Sequence, residues 1–145
     1  MPRPMTKAER EEYLAGVHVG VLAVADEDGR GPLALPIWYG YQPGGEVTFV
    51  TGRPTRKARL MDVGTRVSLC VQDEAPPYKY VSVEGPVVAI DPASTEERRA
   101  LAVRYLGPEG AEAYLAATPD LAAIAIILRI RPERWRTQDF SDLGG

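Results

Sequence analysis

The chain contains one cysteine and one histidine among its 145 residues. A lone cysteine, Cys70, cannot form an internal disulfide, and one Cys with one His falls short of the common zinc ligand sets. We therefore expect no metal centre and interpret Cys70 as a small core residue. His18 lies in a run of strand-forming residues. There a structural role is the simplest interpretation, with catalysis or haem ligation as the alternatives.

Long apolar runs, excess positive charge and nucleotide-binding motifs are also missing. The longest apolar run, residues 121–128, is shorter than the roughly 18 residues of a membrane span. Because the N-terminal segment is charged and lacks an apolar signal core, we expect a cytoplasmic protein. The net charge of −3 argues against general nucleic-acid binding. The absence of the glycine-rich dinucleotide fingerprint, of the Walker sequence and of an alternating βαβ pattern excludes the usual nicotinamide-binding and nucleotide-hydrolysing folds.

Against this mildly acidic background, a short basic segment stands out. Four cations, Arg53, Arg56, Lys57 and Arg59, occur within seven residues. The segment follows a predicted strand and begins a predicted short helix that ends near Val63. Free backbone N–H groups and the helix dipole favour an anion at a helix start, and the four cations add full charge. The sequence therefore predicts a phosphate site here.

Capping boxes and alternating residues predict the rest of the fold. Thr6 with Glu9 and Ser94 with Glu97 predict a helix over 6–16 and a helical insertion over 94–117, broken at Gly107. Strands are predicted over 18–25, 33–41, 46–51, 66–72, 78–90 and 122–130, followed by a bend and a tail over 137–140. Short turns make neighbouring strands antiparallel, and barrel closure hides sheet edges. We predict one mainly β domain, 1–145: a small antiparallel barrel with peripheral helices.

The aromatic residues of the second and fifth strands suggest a slot for a small molecule. Alternation places Tyr39 and Tyr41 on one face of their strand and Trp38 on the other. Tyr78 and Tyr80 share a face in the same way. We expect one tyrosine pair to line the slot while Trp38 packs elsewhere, with barrel packing as the alternative for all of them. Pro36 within the second strand predicts an edge, a bulge or a ligand contact.

Six short segments occur in a characteristic order: 33–39 (LALPIWY), 49–52 (FVTG), 55–59 (TRKAR), 66–69 (RVSL), 81–85 (VSVEG) and 131–135 (RPERW). Together they resemble the pyridoxamine 5'-phosphate oxidase-like, FMN-binding split-barrel superfamily, and within it the deazaflavin (coenzyme F420)-dependent reductases of actinobacteria. The resemblance runs from about Val17 to Phe140. It implies a homodimeric oxidoreductase with a flavin-type cofactor at each subunit interface.

The resemblance also implies site residues by position. Arg56 and Lys57, with the adjacent Ala58, match the grip on the flavin phosphate, and Val50 and Thr51 match the strand end beside the phosphate-ribityl arm. The other implied positions are the ring-facing strand Pro36, Ile37, Trp38 and Tyr39, a ring or tail contact at Lys79 and Tyr80, and a cap from the partner subunit at Gln138 or Trp135. No catalytic side chain is assigned.

Two cofactors fit these expectations, coenzyme F420 and FMN. The deazaflavin carries an acidic tail that FMN lacks, and Arg53, Arg59 and Lys79 are spare cations for such a tail. We therefore favour F420-dependent hydride transfer to or from a small unsaturated organic substrate. An FMN-dependent enzyme and a non-catalytic flavin- or haem-binding protein are the alternatives. The long substrate-binding segment of true pyridoxamine phosphate oxidases has no counterpart after Phe140, so we do not expect vitamin B6 oxidation.

Overall fold

Seven strands and four helices form in residues 2–141, the part of the chain that the computed structural model describes. The strands are β1 (Gly20–Val24), β2 (Leu33–Ile37), β3 (Val47–Gly52), β4 (Arg66–Gln72), β5 (Lys79–Pro92), β6 (Ala125–Ile130) and β7 (Arg134–Asp139). The helices are α1 (Lys7–Ala15), α2 (Arg56–Arg59), α3 (Thr95–Ala117) and α4 (Leu121–Ile124). Residue 1 and residues 142–145 of the predicted domain lie outside the described residues.

Six strands lie in one antiparallel path, in the order β2-β1-β4-β5-β6-β3. The path curls until its two ends meet. Just after β2, Gly40 and Thr48 exchange backbone N–H···O bonds of 2.8 and 2.9 Å, which join the β2 end to β3. This arrangement confirms the predicted split barrel. Within the described residues, a single β-bridge, and not a full ladder of hydrogen bonds, joins the two ends of the path. Pro36 lies in β2, a terminal strand of the path, as a proline within a sheet requires.

The long strand β5 connects the two halves of the barrel. Its first half pairs with β4 on one side and β7 on the other, and its second half pairs with β6. At Gly85, an added Cβ would lie 1.7 Å from the carbonyl oxygen of Arg131. Only glycine permits such a close approach of two backbones, so Gly85 fixes the point where β5 crosses from one half of the barrel to the other.

Alternation along the strands builds the core. Every second residue of β4 and of the first half of β5 is buried, which turns one face of the sheet inward. The largest fully buried side chains are Tyr39, Phe49, Leu14, Leu22, Leu69 and Leu128. Leu14 places α1 over the barrel, and the Tyr39 hydroxyl donates to the Leu14 carbonyl oxygen at 2.7 Å.

The structure corrects several predicted boundaries. The predicted tail is strand β7, paired with β5 from Lys79 opposite Asp139 to Glu84 opposite Arg134. Its sequence is almost wholly polar, so alternation gave no signal. Residues 121–124 form the helix α4, so the strand predicted over 122–130 is β6 and begins only at Ala125. The basic helix α2 is one turn that ends at Arg59 and does not reach Val63.

The helical segment over 94–117 forms as α3, with both partners of the Ser94–Glu97 capping box in place. The predicted break is a kink at Gly107, whose φ of +76° is a conformation that L side chains rarely adopt. The helix α3 passes beside the end of β2, where its Tyr105 stacks on Trp38 and accepts a hydrogen bond from the Tyr39 N–H.

Candidate functional site

A cavity of about 200 Å³ lies between the end of β2 and the helices α3 and α4. Its walls come from β2 and the residue after it, from β3, from α2 and from the two helices: Pro36, Ile37, Trp38, Val50, Lys57, Arg98, Leu101, Ala102, Tyr114 and Leu121. Among the described residues that line it, only Lys57 and Arg98 are charged. Within residues 2–141, the wall of the cavity therefore contains two cationic side chains and no carboxylate.

Lys57 reaches this cavity from the single turn of α2. Its side chain is half-buried, and this burial lowers the pKa of the ammonium group. None of the ion pairs between residues 2–141 includes it. A partly desolvated cation without a counter-charge is a favourable partner for an anionic ligand, so the donor set fits a phosphate.

Arg98 reaches the same cavity from α3. It is 5% exposed. One terminal nitrogen, Nη2, donates to the backbone carbonyl and hydroxyl oxygens of Thr118 at 3.3 and 3.1 Å. Its Nε has no hydrogen-bond partner within the part of the chain described. The second cation of the cavity is therefore buried and only partly satisfied.

The aromatic wall of the cavity reverses the expected roles of Trp38 and Tyr39. Trp38 lines the cavity and stacks on Tyr105 of α3, with ring centroids 5.0 Å apart and planes 7° apart. It also contacts Tyr114 at 5.5 Å. Tyr39 and Tyr41 are buried in the core instead. The reason is alternation from Ile37, which is also buried and places every second residue after it inward.

Neither member of the alternative tyrosine pair lines the cavity. Tyr78 is 51% exposed on the surface, and Tyr80 lies in β5. Tyr105 also explains why β2 ends at Ile37. Its hydroxyl accepts from the Tyr39 backbone N–H at 3.0 Å and donates to the His18 carbonyl oxygen at 2.7 Å. The end of β2 is thus bonded to a helix side chain.

Arg56, the predicted companion of Lys57, is held by a carboxylate. Its Nη2 and Nε donate to the two oxygens of Asp26 at 2.5 and 3.2 Å, across the turn after β1. The Asp26 side chain is 5% exposed, and the guanidinium group holds its pKa below the ordinary range. Of the two predicted phosphate-binding cations, only Lys57 lines the cavity.

The loop before α2 is organised by two threonines. Thr55 caps α2: its hydroxyl accepts from the Ala58 N–H at 3.3 Å and donates to the Gly52 carbonyl oxygen at 2.9 Å. Thr51 is buried, with its hydroxyl 3.1 Å from that of Thr55. Because α2 is one turn, its dipole is small. Any anion preference of the cavity must come from the full charges of Lys57 and Arg98.

The spare cations do not converge on the cavity. Arg53 and Arg59 line a separate depression together with Ala58 and two acids, Asp62 and Asp91. The Arg59 guanidinium donates twice to the Pro54 carbonyl oxygen, at 2.9 and 3.2 Å. Within one chain these two arginines face a different surface from Lys57.

The remaining predicted contacts also lie away from the cavity. Lys79 lines a cleft with Glu9 and Glu12. Tyr80 of β5 lies directly opposite Gln138 of β7. Trp135 packs within its own chain, with the Arg10 guanidinium 4.6 Å from its ring centroid. Lys79, Tyr80, Trp135 and Gln138 reach a cofactor only if a second subunit brings one to them, so their roles stay predictions.

The surroundings of His18 and Cys70 favour a structural role for both residues. His18 Nε2 donates to the Tyr13 carbonyl oxygen at 2.9 Å, and the two rings stack with centroids 4.5 Å apart. Burial raises the pKa of the Cys70 thiol, which disfavours the reactive thiolate.

Arg98 and Tyr105, together with the lining residues Leu101, Ala102, Tyr114 and Leu121, were not among the sequence predictions. One signal was available for the first two. Residues 98, 101, 102 and 105 follow the i, i+3, i+4, i+7 spacing of a helix face that packs inward, with an arginine at its first position. An arginine on the apolar face of a helix is unusual enough to mark a site.

The fold and site together define a split-barrel protein with a cationic cavity at the edge of its sheet. The sequence profile of the pyridoxamine 5'-phosphate oxidase family matches residues 6–139, so the chain belongs to that family. Among curated proteins, none matches the sequence significantly. No helix in residues 2–141 is long and apolar enough to cross a membrane.

Solved structures of the same fold include proteins that bind flavin-type cofactors. An F420 reductase is 27% identical with a TM-score of 0.72, over 87% of this chain and 94% of that one. A conserved hypothetical protein, Rv2991 from Mycobacterium tuberculosis, is 26% identical with a TM-score of 0.74, over 97% and 89%. A FAD-binding protein from Mesorhizobium loti is 24% identical, TM-score 0.65, over 96% of each chain, which shows the fold alone.

Proposed function

We propose that this protein is a coenzyme F420-dependent oxidoreductase that transfers a hydride between the deazaflavin and a small unsaturated organic substrate. The observation that carries the proposal is the cavity at the end of β2, whose only charged lining residues in the described chain are Lys57 and Arg98. The similarity to an F420 reductase favours the deazaflavin over FMN. A cytoplasmic location is part of the same proposal.

In this proposal the chain supplies binding, orientation and exclusion of water. When bound in its reduced form, the deazaflavin would supply the hydride for the substrate double bond and would itself become oxidised, and solvent or a tyrosine would supply the proton. Lys57 holds the phosphate by a charge-assisted hydrogen bond. Ile37 and Val50 keep the wall beside it apolar, and Trp38, fixed by its stacking on Tyr105, gives the pocket a rigid side.

We also propose a homodimer that covers the outer face of the sheet. In register across four strands, Pro36, Val21, Cys70 and Ser82 face the same side, and none is charged. Val17, Val19 and Val21 are 59%, 56% and 44% exposed. This uncharged row ends on the cavity strand β2, so a second copy seated on it would reach the cofactor site.

Sedimentation across a concentration series tests the dimer. Val21→Lys should shift the protein to monomer, because it buries a charge in the proposed interface. Val63→Lys, which changes an exposed valine after α2, serves as the control and should leave the dimer intact. A wild-type monomer at every concentration would contradict the proposal.

Cofactor titration tests the function. The apoprotein should bind F420 with micromolar or tighter affinity and bind FMN more weakly. Tight FMN binding with no F420 binding would replace the proposal by an FMN-dependent enzyme of the same fold.

Turnover separates an enzyme from a carrier. Reduced F420 should be reoxidised in the presence of the protein by at least one class of acceptor in a panel of quinones, enones and tetrapyrroles. Tight binding with no reoxidation by any of them would favour a non-catalytic binding protein.

A further inference from the structure

Arg98 is a charged residue at a position where the helix faces inward. It shares the inward face of α3 with Leu101 and Ala102, which line the same cavity, and with Tyr105, which stacks on Trp38. At 5% exposure the side chain is removed from water. Such burial of a guanidinium group is costly unless its donors and its charge are matched.

Within the described residues, Arg98 has too few hydrogen-bond acceptors for its donors and no carboxylate to balance its charge. Thr118 satisfies Nη2, while Nε has no partner within residues 2–141. Two neighbouring arginines are paired: Arg99 with Glu96 and Glu112 at 2.5 and 2.6 Å, and Arg129 with Glu97 at 2.9 Å. Arg104 also has an unpartnered Nε, but its guanidinium group lies over the rings of Tyr39 and Tyr105 and outside this cavity. Acids are thus available around α3, but none lines the cavity. The missing counter-charge is best supplied by a ligand.

We propose that Arg98 binds the phosphate group of the flavin-type cofactor together with Lys57, so that α3 supplies the second cation of the site. This inference rests on the proposed function, and it assigns to Arg98 the role that the resemblance implies for Arg56, which Asp26 holds. The cavity, about 200 Å³, is smaller than the roughly 300–1,000 Å³ of a whole-ligand pocket. It suits a phosphate and the first ribityl carbons, with the ring outside it.

The test isolates the phosphate from the rest of the cofactor. Dissociation constants are measured by calorimetry for two matched pairs: F420 with its phosphate-free deazaflavin chromophore, and FMN with riboflavin. In the wild-type protein the phosphate-bearing member of at least one pair should bind more tightly. Arg98→Gln should reduce that preference by roughly tenfold or more, since one charge-assisted hydrogen bond is lost. Binding of the phosphate-free member should stay unchanged.

Arg99→Gln is the matched control, because it removes the same charge from the next residue of the same helix, outside the cavity. It should keep the wild-type preference for the phosphate. A loss of preference in this control would assign the effect to net charge or to helix stability, and would overturn the inference.

A second pair of variants keeps the inference testable if Arg98→Gln does not fold. Leu101 lines the cavity and is partly exposed, so Leu101→Glu adds a carboxylate beside the two cations, with Leu101→Gln as its neutral match. The Glu variant should lose the phosphate preference and the Gln variant should keep it. A preference that survives Leu101→Glu or Arg98→Gln would overturn the role of Arg98 and leave the proposed function standing. Wild-type protein that binds neither pair would instead overturn the proposed function.

Discussion

A cation of the barrel strands, which we call the frame, is paired with carboxylates, whereas the two cations of the cavity are not. Arg66 on β4 forms ion pairs with Glu84 at 2.9 Å and Glu133 at 2.8 Å. Within the described chain, Lys57 and Arg98 in the cavity form no ion pair with a carboxylate. In the frame, charges on neighbouring strands neutralise one another. In the cavity, two partly desolvated cations face an apolar and aromatic wall. The difference indicates that the frame is organised for stability and the cavity for a ligand. Substitutions in the two regions should therefore change different measured quantities.

The largest effect is expected in the frame, from Gly85→Ala. The new Cβ would overlap the Arg131 carbonyl oxygen, and two backbones must separate to admit it. We expect a loss of about 3 kcal/mol in the free energy of unfolding, at the upper end for overpacking, measured by chemical denaturation. Gly31→Ala is the control, since its added Cβ meets nothing within 4 Å. A Gly85→Ala protein as stable as the Gly31→Ala protein would refute this account of the crossing.

In the cavity, Lys57→Ala should change binding and leave stability near the wild-type value. Loss of one charge-assisted hydrogen bond should weaken cofactor binding by about 1.5–3 kcal/mol, or roughly ten- to 150-fold. Calorimetric titration measures the affinity, and denaturation measures the stability. Arg59→Ala should leave the affinity unchanged, because Arg59 donates to the Pro54 carbonyl oxygen outside the cavity. Equal losses of affinity in both variants would contradict the assignment of Lys57, and not Arg59, to the binding site.

The affinity should also depend on pH through Lys57. Burial lowers its pKa in the free protein, so the ammonium group loses its proton at a lower pH than an ordinary lysine does. Phosphate binding requires the charged form and should weaken as pH rises through that lowered pKa. Titrations between about pH 7 and 10 should show the decline in wild-type protein and not in Lys57→Arg, since arginine stays charged. An equal decline in both would assign the titration to another group.

The smallest effect is expected from Asp26→Asn, which weakens the pairing that holds Arg56. A released Arg56 becomes available to the phosphate beside Lys57, and the affinity should rise about two- to fivefold, as for an exposed charge. Asp28→Asn, in the same turn, removes a carboxylate that forms none of the ion pairs described and is the control. An affinity that stays constant in Asp26→Asn would remove Arg56 from the site.

Local signals predicted most of the frame. Capping boxes need residues three apart, and alternation needs a few neighbours, so α1, the start of α3 and the inward faces of β4 and β5 follow from the sequence. The strand β7 does not, because its polar residues form a strand only when Lys79 to Glu84 offer a free edge. Pairing of that kind depends on distant residues.

The cavity was only half predictable for a related reason. Lys57, Val50 and residues 36–38 lie on neighbouring parts of the barrel, and the resemblance placed them. The pairing of Arg56 with Asp26 and the stacking of Trp38 on Tyr105 join residues far apart in the chain. Local periodicity marks Arg98 as inward-facing, but only the tertiary structure shows that it meets Lys57 in one cavity.

The central claim is that the phosphate of a flavin-type cofactor binds between Lys57 and Arg98. A crystal structure of the protein with bound F420 tests this most directly. We predict phosphate oxygens within hydrogen-bond distance of Lys57 Nζ and of the Arg98 guanidinium, with the ring outside the cavity against a second subunit. A phosphate held against Arg53 and Arg59, with the cavity beside α3 filled by water alone, would contradict the account.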